Sequence, residues 1–481
     1  MVVGYNSFEE VEYMDYTKLY INGEWVDSNS KEFIEVENPA TREIIGRVPR
    51  ANKADIDYAV KSAKEAFETW QYTDLSARIS LMEALMEELY KRADDFADMI
   101  VKELGRGRDF ALKTHTIPYI KDGENYIRIA KEYEFEKDMG DHIIRKEPIG
   151  VVAALTPWNY PLGQVTKKVI PAILTGNTII LKPSQNTPLV AYILADAIDK
   201  VGFPKGVFNL VTGAGGEVGN LLVEHKDVNM VTFTGSTKSG REVAQRAMKG
   251  IKRIALELGG KSPSVILRGA DIELAVKRTL DSVYNNTGQT CSAYTRLLVP
   301  EDEKEKIEEV VIKMTKEYPF GDPALSPKNI GPVISERQFF KVKSYIEKGV
   351  EEGARLIYGE VPKDYDKGYY IKPVVFSDVD NNMVIAKEEI FGPVLCIIPY
   401  KDKEEAIKIA NDTEYGLAAT VFGPEAEARE VANKIKAGNV NVNNGRFTRN
   451  APFGGFKESG LGREGGVFGM EEFLEIKAIF K

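Results

Sequence analysis

A single cysteine in a polar segment is the residue whose surroundings most directly suggest chemistry. Cys291 ends the sequence NTGQTC, shortly after Gly288 and the amphipathic helix predicted to begin at Asp271. A cysteine thiolate is a strong nucleophile when its pKa is lowered, and it can form a covalent adduct with a carbonyl group. Cysteine is also a common small core residue, but the polar neighbours of this one favour a functional role. The second cysteine, Cys396, lies in an apolar run and is expected to be structural.

Three further side chains could serve a carbonyl reaction at this cysteine. Glu257 lies among apolar residues before a glycine pair, where burial would raise its pKa and suit it to general-base work. Asn159 lies in PWNYP, whose prolines and aromatic residues would fix its amide to stabilise an oxyanion. Lys182 ends an apolar strand, at the sheet edge where cofactors bind in open α/β folds. An exposed glutamate, an ordinary turn asparagine and a solvated lysine are the alternative interpretations.

Two glycine-rich turns follow predicted strands and precede helices, at 212–219 and 234–240. Free amides at the start of a helix bind pyrophosphate favourably, but neither turn matches the strict GxGxxG fingerprint. Gly260, Lys261 and Ser262 are similar to the end of a P-loop, yet the first glycine of that motif is replaced by Ala255. The P-loop interpretation is therefore rejected.

Competing catalytic arrangements have little support in the sequence. The three histidines, His115, His142 and His225, are expected in charged or amphipathic surroundings with no G-x-S-x-G serine nearby, so a serine hydrolase is not indicated. Metal-ligand spacing is absent, and two cysteines are too few for a disulfide framework or a cysteine-based metal site. We therefore expect no bound metal.

The elements that must position these residues alternate between strand and helix. One run of predicted elements comprises strands at 150–155, 178–181, 207–211 and 229–234 with helices at 188–201 and 239–248, and a second comprises strands at 264–267 and 295–299 around the helix from Asp271. This order predicts two parallel α/β sheets. The segments 133–136, 143–145 and 474–481 instead suggest exposed strands, which would pair with another subunit or, alternatively, within one chain.

Length, composition and charge limit the class of protein. The chain has 481 residues, too many for one core, and its 43% hydrophobic and 28% charged residues are typical of a globular protein. Acidic residues number 73 against 64 basic ones, and the net charge of -9 gives no attraction to nucleic acid or to anionic membranes. No apolar run could span a bilayer and no signal-like N-terminus occurs, so we expect a cytoplasmic protein without nucleic-acid or membrane partners.

Nine motifs in order resemble those of the aldehyde dehydrogenase superfamily, from about Tyr20 to the C-terminus. They are INGEW at 21–25, NPAT at 38–41, PWNYP at 157–161, LKPS at 181–184, FTGS at 233–236, ELGGK at 257–261, GQTC at 288–291, EEIFGP at 388–393 and PFGGFKESG at 452–460. One such motif could arise by chance, whereas nine in this order could not reasonably do so.

The resemblance implies an α/β fold with three parts. A Rossmann-type dinucleotide-binding domain would comprise residues 1–127 and 148–259, an α/β catalytic domain 260–459, and a small β oligomerisation element 128–147 and 460–481. It also implies a homodimer or homotetramer that oxidises an aldehyde to a carboxylic acid with NAD or NADP. The path would run through a hemithioacetal and a thioester on the cysteine, which activated water then hydrolyses.

The resemblance further implies a role for each motif residue. Cys291 would be the nucleophile, Glu257 the general base, and Asn159 with the Cys291 amide the oxyanion hole. Cofactor-binding residues would be Thr156, Trp158, Lys182, Ser184, Gln185, Gly235, Ser236, Leu258, Glu389 and Phe391. Among them, Lys182 and Glu389 would bind the two ribose rings and Phe391 would flank the nicotinamide. Gly235 and Ser236 would lie at the pyrophosphate.

Gln185 departs from the pattern of family members that prefer NAD. These usually carry a glutamate three residues after the lysine, which binds the adenosine ribose and repels a 2′-phosphate. The neutral amide of Gln185 removes that repulsion, so the sequence predicts that NADP is tolerated and that the preference for NAD is weakened.

The substrate is indicated only by a few charged residues. Lys167 lies a helical turn past Tyr160, at a place where relatives that handle cationic aldehydes resemble one another in having tryptophan, and Arg446 and Arg449 lie near the other wall. These residues predict an anionic or polar aldehyde, such as a semialdehyde, rather than betaine aldehyde. The alternative is that the three charges face solvent.

Three rival functions use the same residues differently. A coenzyme A-acylating semialdehyde dehydrogenase would keep the cysteine but has no need of a water-activating glutamate, so Glu257 argues against it. A non-catalytic binding protein of this fold is disfavoured because every catalytic position is filled. A thiol hydrolase or acyltransferase without a cofactor is the third alternative.

Overall fold

Two large sheets, each with apolar side chains packed on both faces, organise the chain. The computed structural model describes residues 13–326, 329–445 and 447–481. In the first sheet, alternate residues of Val151–Leu155 contribute to different apolar clusters, since Val152 and Ala154 belong to one cluster and Val151, Ala153 and Leu155 to another. Successive side chains of a strand point to opposite faces, so both faces of this sheet are covered.

The first sheet has eight strands. In spatial order they are Gly460–Leu461, Arg253–Glu257, Met230–Thr234, Val151–Leu155, Thr178–Lys182, Phe208–Leu210, Lys18–Ile21 and Glu24–Asp27. The five from Arg253–Glu257 to Phe208–Leu210 are parallel to one another, and the outer strands pair antiparallel.

The order of the parallel strands is that of a Rossmann fold. Counted along the chain from Val151–Leu155, the five strands lie side by side as 3-2-1-4-5. The order reverses between the first strand and Met230–Thr234, and ligands of such sheets bind outside the carboxyl ends of the strands at this switch point. The fold therefore predicts a binding cleft beside residues 156–159 and 235–236.

The second sheet has seven strands. In spatial order they are Arg355–Tyr358, Val374–Ser377, Val394–Tyr400, Arg296–Pro300, Pro263–Ile266, Ala418–Phe422 and Asn439–Val442. All neighbours are parallel except the first pair. Cys396 lies in the middle of this sheet, fully buried, as the sequence predicted.

Three smaller sheets contain the remaining strands of the described residues. They are Met14–Asp15 with Ile44–Pro49 and Phe33–Glu37, Tyr415–Gly416 with Phe456–Lys457, and Leu474–Phe480 with His142–Pro148 and Glu136–Asp138. The last of these corrects an expectation, because the exposed strands pair with one another inside one chain. The strand expected at 133–136 is also wrong, since it begins only at Glu136 while Tyr133 and Phe135 pack on the core.

Helices connect and cover the sheets. The α-helices are Lys53–Trp70, Leu75–Lys91, Ala93–Leu104, Arg108–Phe110, Ile117–Glu132, Pro161–Leu174, Leu189–Val201, Asn220–Glu224, Thr237–Met248, Ile272–Tyr284, Lys304–Thr315, Glu336–Glu351, Val384–Lys387, Lys403–Asn411, Glu425–Lys434 and Gly466–Glu471. The π-helical turns are Ala111–Thr116 and Gly215–Gly219, and the 3-10 turns are Asn285–Gly288 and Glu301–Glu303. In the part of the chain described, no helix is both long and apolar enough to cross a membrane.

The two predicted α/β cycles are confirmed, with ends displaced by roughly one or two residues. The α/β fold class is therefore right. Asp271 caps the helix Ile272–Tyr284 by accepting a hydrogen bond of 3.0 Å from the Leu274 amide, which explains why the helix begins there.

Candidate active site

A cleft of about 580 Å³ opens at the switch point of the Rossmann sheet. It is lined by Pro157, Trp158, Asn159, Thr234, Gly235, Ser236, Lys238, Ser239, Glu242, Leu258, Gly259, Cys291, Arg337, Gln338, Lys341, Glu389 and Phe391. These residues come from the ends of the first, fourth and fifth parallel strands and from three segments of the second sheet region. The cleft therefore lies where the two large sheets meet.

Eight of the thirteen residues predicted for catalysis and cofactor binding share this cleft. The lining includes Cys291, Asn159, Trp158, Gly235, Ser236, Leu258, Glu389 and Phe391. Glu257 and Thr156 each lie next in sequence to a lining residue. Lys182, Ser184 and Gln185 lie beyond the lining, at the end of the second parallel strand.

A strained turn presents the cysteine. After the helix Ile272–Tyr284, Asn286, Thr287 and Gly288 all adopt left-handed backbone angles, with φ of 51°, 58° and 73°. Such angles cost about 1–3 kcal/mol at each non-glycine residue and persist only where the surroundings hold them. A side chain at Gly288 would place its Cβ 2.0 Å from the carbonyl oxygen of Gly392, so glycine is required there.

Cys291 is half-buried behind this turn, and its carbonyl packs on Gly260, where an added Cβ would lie 2.3 Å from it. Burial raises the pKa of the Cys291 thiol to about 12, and the charges of Glu389 and Glu257 act in the same direction. The charge of Lys167 acts the other way. The thiol is therefore protonated at neutral pH and needs a local base or cation to react.

Asn159 is held beside the cysteine by two hydrogen bonds. Its side-chain Nδ2 donates to the backbone carbonyl oxygen of Gln289 at 3.0 Å, and its backbone carbonyl oxygen accepts from Asn286 Nδ2 at 2.8 Å. A side-chain amide carries two N–H donors, so the second remains for an oxyanion. The ordinary-turn interpretation does not describe this buried, cross-linked residue.

Glu257 ends the strand Arg253–Glu257 and is only 5% exposed, so the surface interpretation is wrong. Neither carboxylate oxygen has a hydrogen-bond partner among the described residues. Burial, together with the charge of Glu464, raises the pKa of Glu257 well above its ordinary value. Gly454 leaves room for this carboxylate, since a Cβ there would lie 2.5 Å from Oε1.

The helix Thr237–Met248 points its first turn at the cleft. Ser236 caps it by accepting a 3.2 Å hydrogen bond from the Ser239 amide, and Gly235 leads into it. A side chain at Gly235 would collide with the Phe233 ring at 2.5 Å. Amides at a helix start bind phosphates, so this end of the cleft suits a pyrophosphate.

Glu389, the second glutamate of EEIFGP, accepts a hydrogen bond from the backbone. The Gly260 amide donates to Glu389 Oε1 at 3.1 Å, and a Cβ at Gly259 would lie 2.8 Å from Oε2. Burial raises the pKa of Glu389, against the opposing charges of Lys341 and Lys261.

Phe391 is fixed in a left-handed conformation with φ of 60°. Gln338 Nε2 donates hydrogen bonds to the carbonyls of Phe391 at 2.8 Å and Ile390 at 3.3 Å, and Trp158 meets the phenyl ring edge-on at 5.4 Å. Sequence reasoning missed Gln338 and its neighbours Arg337 and Lys341, because no motif marks the start of the helix Glu336–Glu351.

Lys182 is buried, so the solvated-lysine interpretation is wrong. Its Nζ donates to the carbonyl of Pro183 at 2.7 Å, and burial lowers its pKa to about 8. Ser184 is half-buried and accepts a 3.3 Å hydrogen bond from the Asn186 amide, whereas Gln185 is exposed. Thr156 Oγ1 is buried with no partner in the described part of the chain, which leaves it available to a bound group.

The residues predicted for the substrate are only partly brought together. Tyr160 is buried, and its hydroxyl bonds Thr290 Oγ1 and Asn285 Nδ2, each at 2.8 Å. The ammonium of Lys167 lies 5.0 Å from the Phe453 ring, so the solvent-facing interpretation is wrong for this residue.

The two arginines predicted near the substrate give less support. Arg449 is exposed and pairs with Asp122 at 2.8 Å, and it is not among the residues that line the cleft. Arg446 lies outside the described residues.

His115 corrects another expectation, because it is fully buried rather than in charged or amphipathic surroundings. It lies in the π-helical turn Ala111–Thr116 and stacks on Tyr160 with ring centroids 4.6 Å apart. Burial, helped by Arg106, lowers its pKa to about 3, so the imidazole is neutral.

Comparison with known proteins agrees with this geometry. The model of the aldehyde dehydrogenase family matches residues 25–479. The chain is 47% identical over 472 residues to a Staphylococcus aureus protein named "Putative aldehyde dehydrogenase", and the match covers 97% of this chain and 98% of that protein.

Two solved structures are similar over nearly the whole chain. Aldehyde dehydrogenase C of Pseudomonas syringae, a cysteine-to-alanine mutant in complex with NAD+ and octanal, has a TM-score of 0.93 at 42% identity, with 96% of each chain covered. An aldehyde dehydrogenase of Mycobacterium tuberculosis complexed with NAD+ has a TM-score of 0.94 at 40% identity, covering 98% of this chain and 99% of that one.

Proposed function

The chain belongs to the aldehyde dehydrogenase family, and we infer that it oxidises an aldehyde to a carboxylic acid with NAD or NADP as hydride acceptor. The observation that supports this most strongly is the shared cleft, where Cys291 and Asn159 lie with Gly235, Ser236 and Glu389. A nucleophile, an amide donor and a phosphate-binding helix start are thereby in one cavity.

In the proposed reaction, the Cys291 thiol releases its proton to solvent, which the positive charge of Lys167 favours, and the thiolate attacks the aldehyde carbon to form the oxyanion of a hemithioacetal. The free N–H of Asn159 Nδ2 and the Cys291 backbone amide donate to the resulting oxyanion. Collapse of the oxyanion would expel a hydride, for which a bound nicotinamide cofactor would supply the acceptor. A thioester on Cys291 remains.

Glu257 completes the reaction as general base. The raised pKa of Glu257 makes its carboxylate a stronger base, which can take a proton from the water that attacks the thioester. The negative charge of Glu464 helps to raise the pKa of Glu257, and Glu464 itself forms a buried ion pair with Lys168. Attack by this water breaks the carbon–sulfur bond, which releases the carboxylic acid and returns the Cys291 sulfur as a thiolate. A coenzyme A-acylating enzyme would have no use for this arrangement.

The residues present fit a dinucleotide. The helix start at Ser236 would receive the pyrophosphate, and Lys182 and Glu389 would hold the ribose rings. Phe391, Trp158 and Leu258 would flank the nicotinamide end, with Ser184 and Thr156 as further polar contacts. Gln185 is exposed and uncharged beside this site, so we propose that both NAD and NADP are used.

For the substrate, we propose an anionic or polar aldehyde, with Tyr160 and Lys167 on its wall. Burial opposes the charge on Lys167, but Glu464 and Asp122 more than offset it and raise its pKa. The ammonium is therefore charged in a partly apolar place above Phe453, where it would attract a carboxylate. Octanal, which the Pseudomonas syringae protein is in complex with, is the uncharged alternative.

The substrate proposal is tested by comparing Lys167→Met with wild type on succinic semialdehyde, octanal and betaine aldehyde. The variant should lose about 10–100-fold in kcat/KM for the semialdehyde, the value of a charged hydrogen bond, and change little with octanal. The exposed lysine Lys121 supplies the control, Lys121→Met. A wild-type preference for betaine aldehyde over the semialdehyde would reject the anionic class.

Domains and assembly follow the same scheme. We propose that residues 1–127 and 148–259 form the dinucleotide-binding domain, 260–459 the catalytic domain, and 128–147 with 460–481 the oligomerisation element. The outer side of Leu474–Phe480 pairs with no other strand of the described residues, and it carries Ile476 at 67% and Phe480 at 80% exposure. An open apolar edge favours pairing with a second copy in a homodimer or homotetramer, which light scattering would measure.

The proposed location is the cytoplasm, because the chemistry requires a reduced thiol at Cys291 and a nicotinamide cofactor.

The function is tested by the absorbance of reduced cofactor formed from an aldehyde panel, with and without coenzyme A. Cys291→Ala should abolish the absorbance change. Turnover that depends on coenzyme A would favour the acylating enzyme, and absence of any reduced cofactor would favour a binding protein or a thiol hydrolase.

A further inference from the structure

Arg106 is a fully buried cation outside the cleft, at the end of the helix Ala93–Leu104. Its hydrogen-bond partners among the described residues include no carboxylate, and burial lowers its pKa to about 9. A buried guanidinium without a counterion is costly unless its donors are satisfied.

Every hydrogen bond that Arg106 donates reaches one of two segments of the chain. Nε donates to Asn286 Oδ1 at 2.6 Å and Nη1 to Thr287 Oγ1 at 2.7 Å. Nη2 donates to the carbonyls of Asn286 at 3.3 Å and Pro332 at 3.0 Å. The planar fork of the guanidinium thus binds Asn286 and Thr287, the two non-glycine residues of the left-handed turn before the nucleophile.

Asn286 links Arg106 by hydrogen bonds to the residues around the reacting groups. While Asn286 Oδ1 accepts from Arg106, its Nδ2 donates to the carbonyls of Asn159 at 2.8 Å and Gln289 at 3.3 Å. Asn159 in turn donates to the carbonyl of Gln289, two residues before Cys291. One side chain therefore connects the guanidinium to the proposed oxyanion donor and to the cysteine loop.

The packing around Arg106 is tight on one side and open on the other. A side chain at Gly331 would place its Cβ 2.1 Å from the Gly105 carbonyl oxygen and 2.6 Å from Arg106 Nη1. On the other side, a cavity of about 230 Å³ is lined by Arg106, Phe110, Asn285 and neighbouring residues. The guanidinium is wedged between the two segments, with a cavity beside it.

We propose that Arg106 is a positioning residue, which holds the Asn286–Thr287 turn in its left-handed form and so places Cys291 and Asn159 for attack. This inference rests on the proposed role of Cys291 as nucleophile. It follows from geometry, because the strained turn has no other cation among its hydrogen-bond partners in the described residues and lies directly before the cysteine. Lysine carries the same charge but cannot reproduce the fork.

The test compares Arg106→Lys and Arg106→Ala with Arg108→Lys, whose exposed parent residue pairs with Asp94 and Asp98. Three quantities are measured: the single-turnover rate of reduced-cofactor formation, the dissociation constant of the cofactor, and the rate of iodoacetamide alkylation of Cys291 read by peptide mass spectrometry. Both Arg106 variants should form reduced cofactor about 100-fold more slowly, the effect of a small misplacement of reacting groups. Cofactor affinity should stay within about twofold, since the pyrophosphate end is untouched.

Chemical rescue separates positioning from general loss of structure. Guanidinium at millimolar concentration should enter the space left in Arg106→Ala and raise its rate about tenfold or more, whereas methylammonium should not. If Arg106→Ala does not fold, Arg106→Lys carries the test through the split between rate and affinity. Equal losses of rate and cofactor affinity, or a wild-type rate in Arg106→Lys, would overturn the proposal.

Failure of the proposed function gives a different result. Wild-type protein would then form no reduced cofactor at all, while alkylation of Cys291 could still be compared between the variants. Faster or slower alkylation in Arg106→Lys than in Arg108→Lys supports the positioning role on its own, and equal alkylation opposes it.

Discussion

Lys168 donates a 2.5 Å hydrogen bond to Glu464, and the two form a buried ion pair whose charges act on Glu257. Burial raises the pKa of Glu464, but the charges of Lys168 and Lys167 and the hydrogen bond outweigh it, and the pKa is lowered overall. The pair therefore keeps Glu464 ionised. Its negative charge in turn helps to raise the pKa of Glu257.

The first prediction concerns stability and pH. A carboxyl group whose pKa is lowered on folding stabilises the protein above its unfolded pKa, and this contribution is lost as the pH falls through the folded value. Lys168→Met removes the hydrogen-bonded cation and should destabilise by about 3 kcal/mol at pH 7.5, because a buried carboxylate is left without its partner. The deficit should shrink at pH 5, where Glu464 in the variant takes up a proton.

Thermal unfolding at the two pH values measures this deficit. The exposed pair of Lys403 and Glu430 supplies the control, since Lys403→Met should change unfolding little. A Lys168→Met deficit that is the same at pH 7.5 and pH 5 would contradict the ion-pair account.

The second prediction separates the two chemical steps. Glu257→Gln keeps the shape of the side chain but cannot accept a proton from water, so it should still give a burst of reduced cofactor in the first turnover. Steady turnover should then fall by about 10²–10⁴-fold. Stopped-flow absorbance measures both phases. Loss of the burst in Glu257→Gln would show that this residue acts before thioester formation.

The third prediction concerns cofactor choice. Gln185→Glu adds a negative charge beside the proposed adenosine ribose site and should lower kcat/KM for NADP about tenfold, which corresponds to about 1.4 kcal/mol. The value for NAD should hold or rise, and NAD serves as the internal control because it lacks the 2′-phosphate. A wild-type enzyme that already uses NAD with negligible NADP turnover would refute the inference from Gln185.

The fourth prediction concerns the turn before the cysteine. Gly288→Ala should inactivate and destabilise the enzyme, since its Cβ would meet the Gly392 carbonyl oxygen and its backbone is left-handed. Gly202 has a similar φ of 82° and open space around it, so Gly202→Ala reports the backbone effect alone. Equal unfolding temperatures for the two variants would mean that the close approach to Gly392 does not matter.

Local patterns in the sequence were enough for the fold class and for the residues of the motifs. Apolar runs such as Val151–Leu155 and the amphipathic spacing after Asp271 predict strands and helices, because hydrophobic periodicity is a property of neighbouring residues. Cys291, Glu257 and Asn159 were identified in the same way, from short segments of unusual composition. Their proposed roles came from these segments together with the resemblance of the motifs to a known family.

Contacts between distant segments were decided only by the tertiary structure. Nothing near Arg106, Gln338 or Glu464 in the sequence indicates that each reaches the surroundings of the site, since their partners lie far away along the chain. The burial of a side chain also depends on contacts between distant segments. His115, expected in charged or amphipathic surroundings, is fully buried for this reason. A hydrogen bond or a buried charge depends on which surfaces the folded sheets bring together, and that choice is made by packing across the whole chain rather than by any one segment.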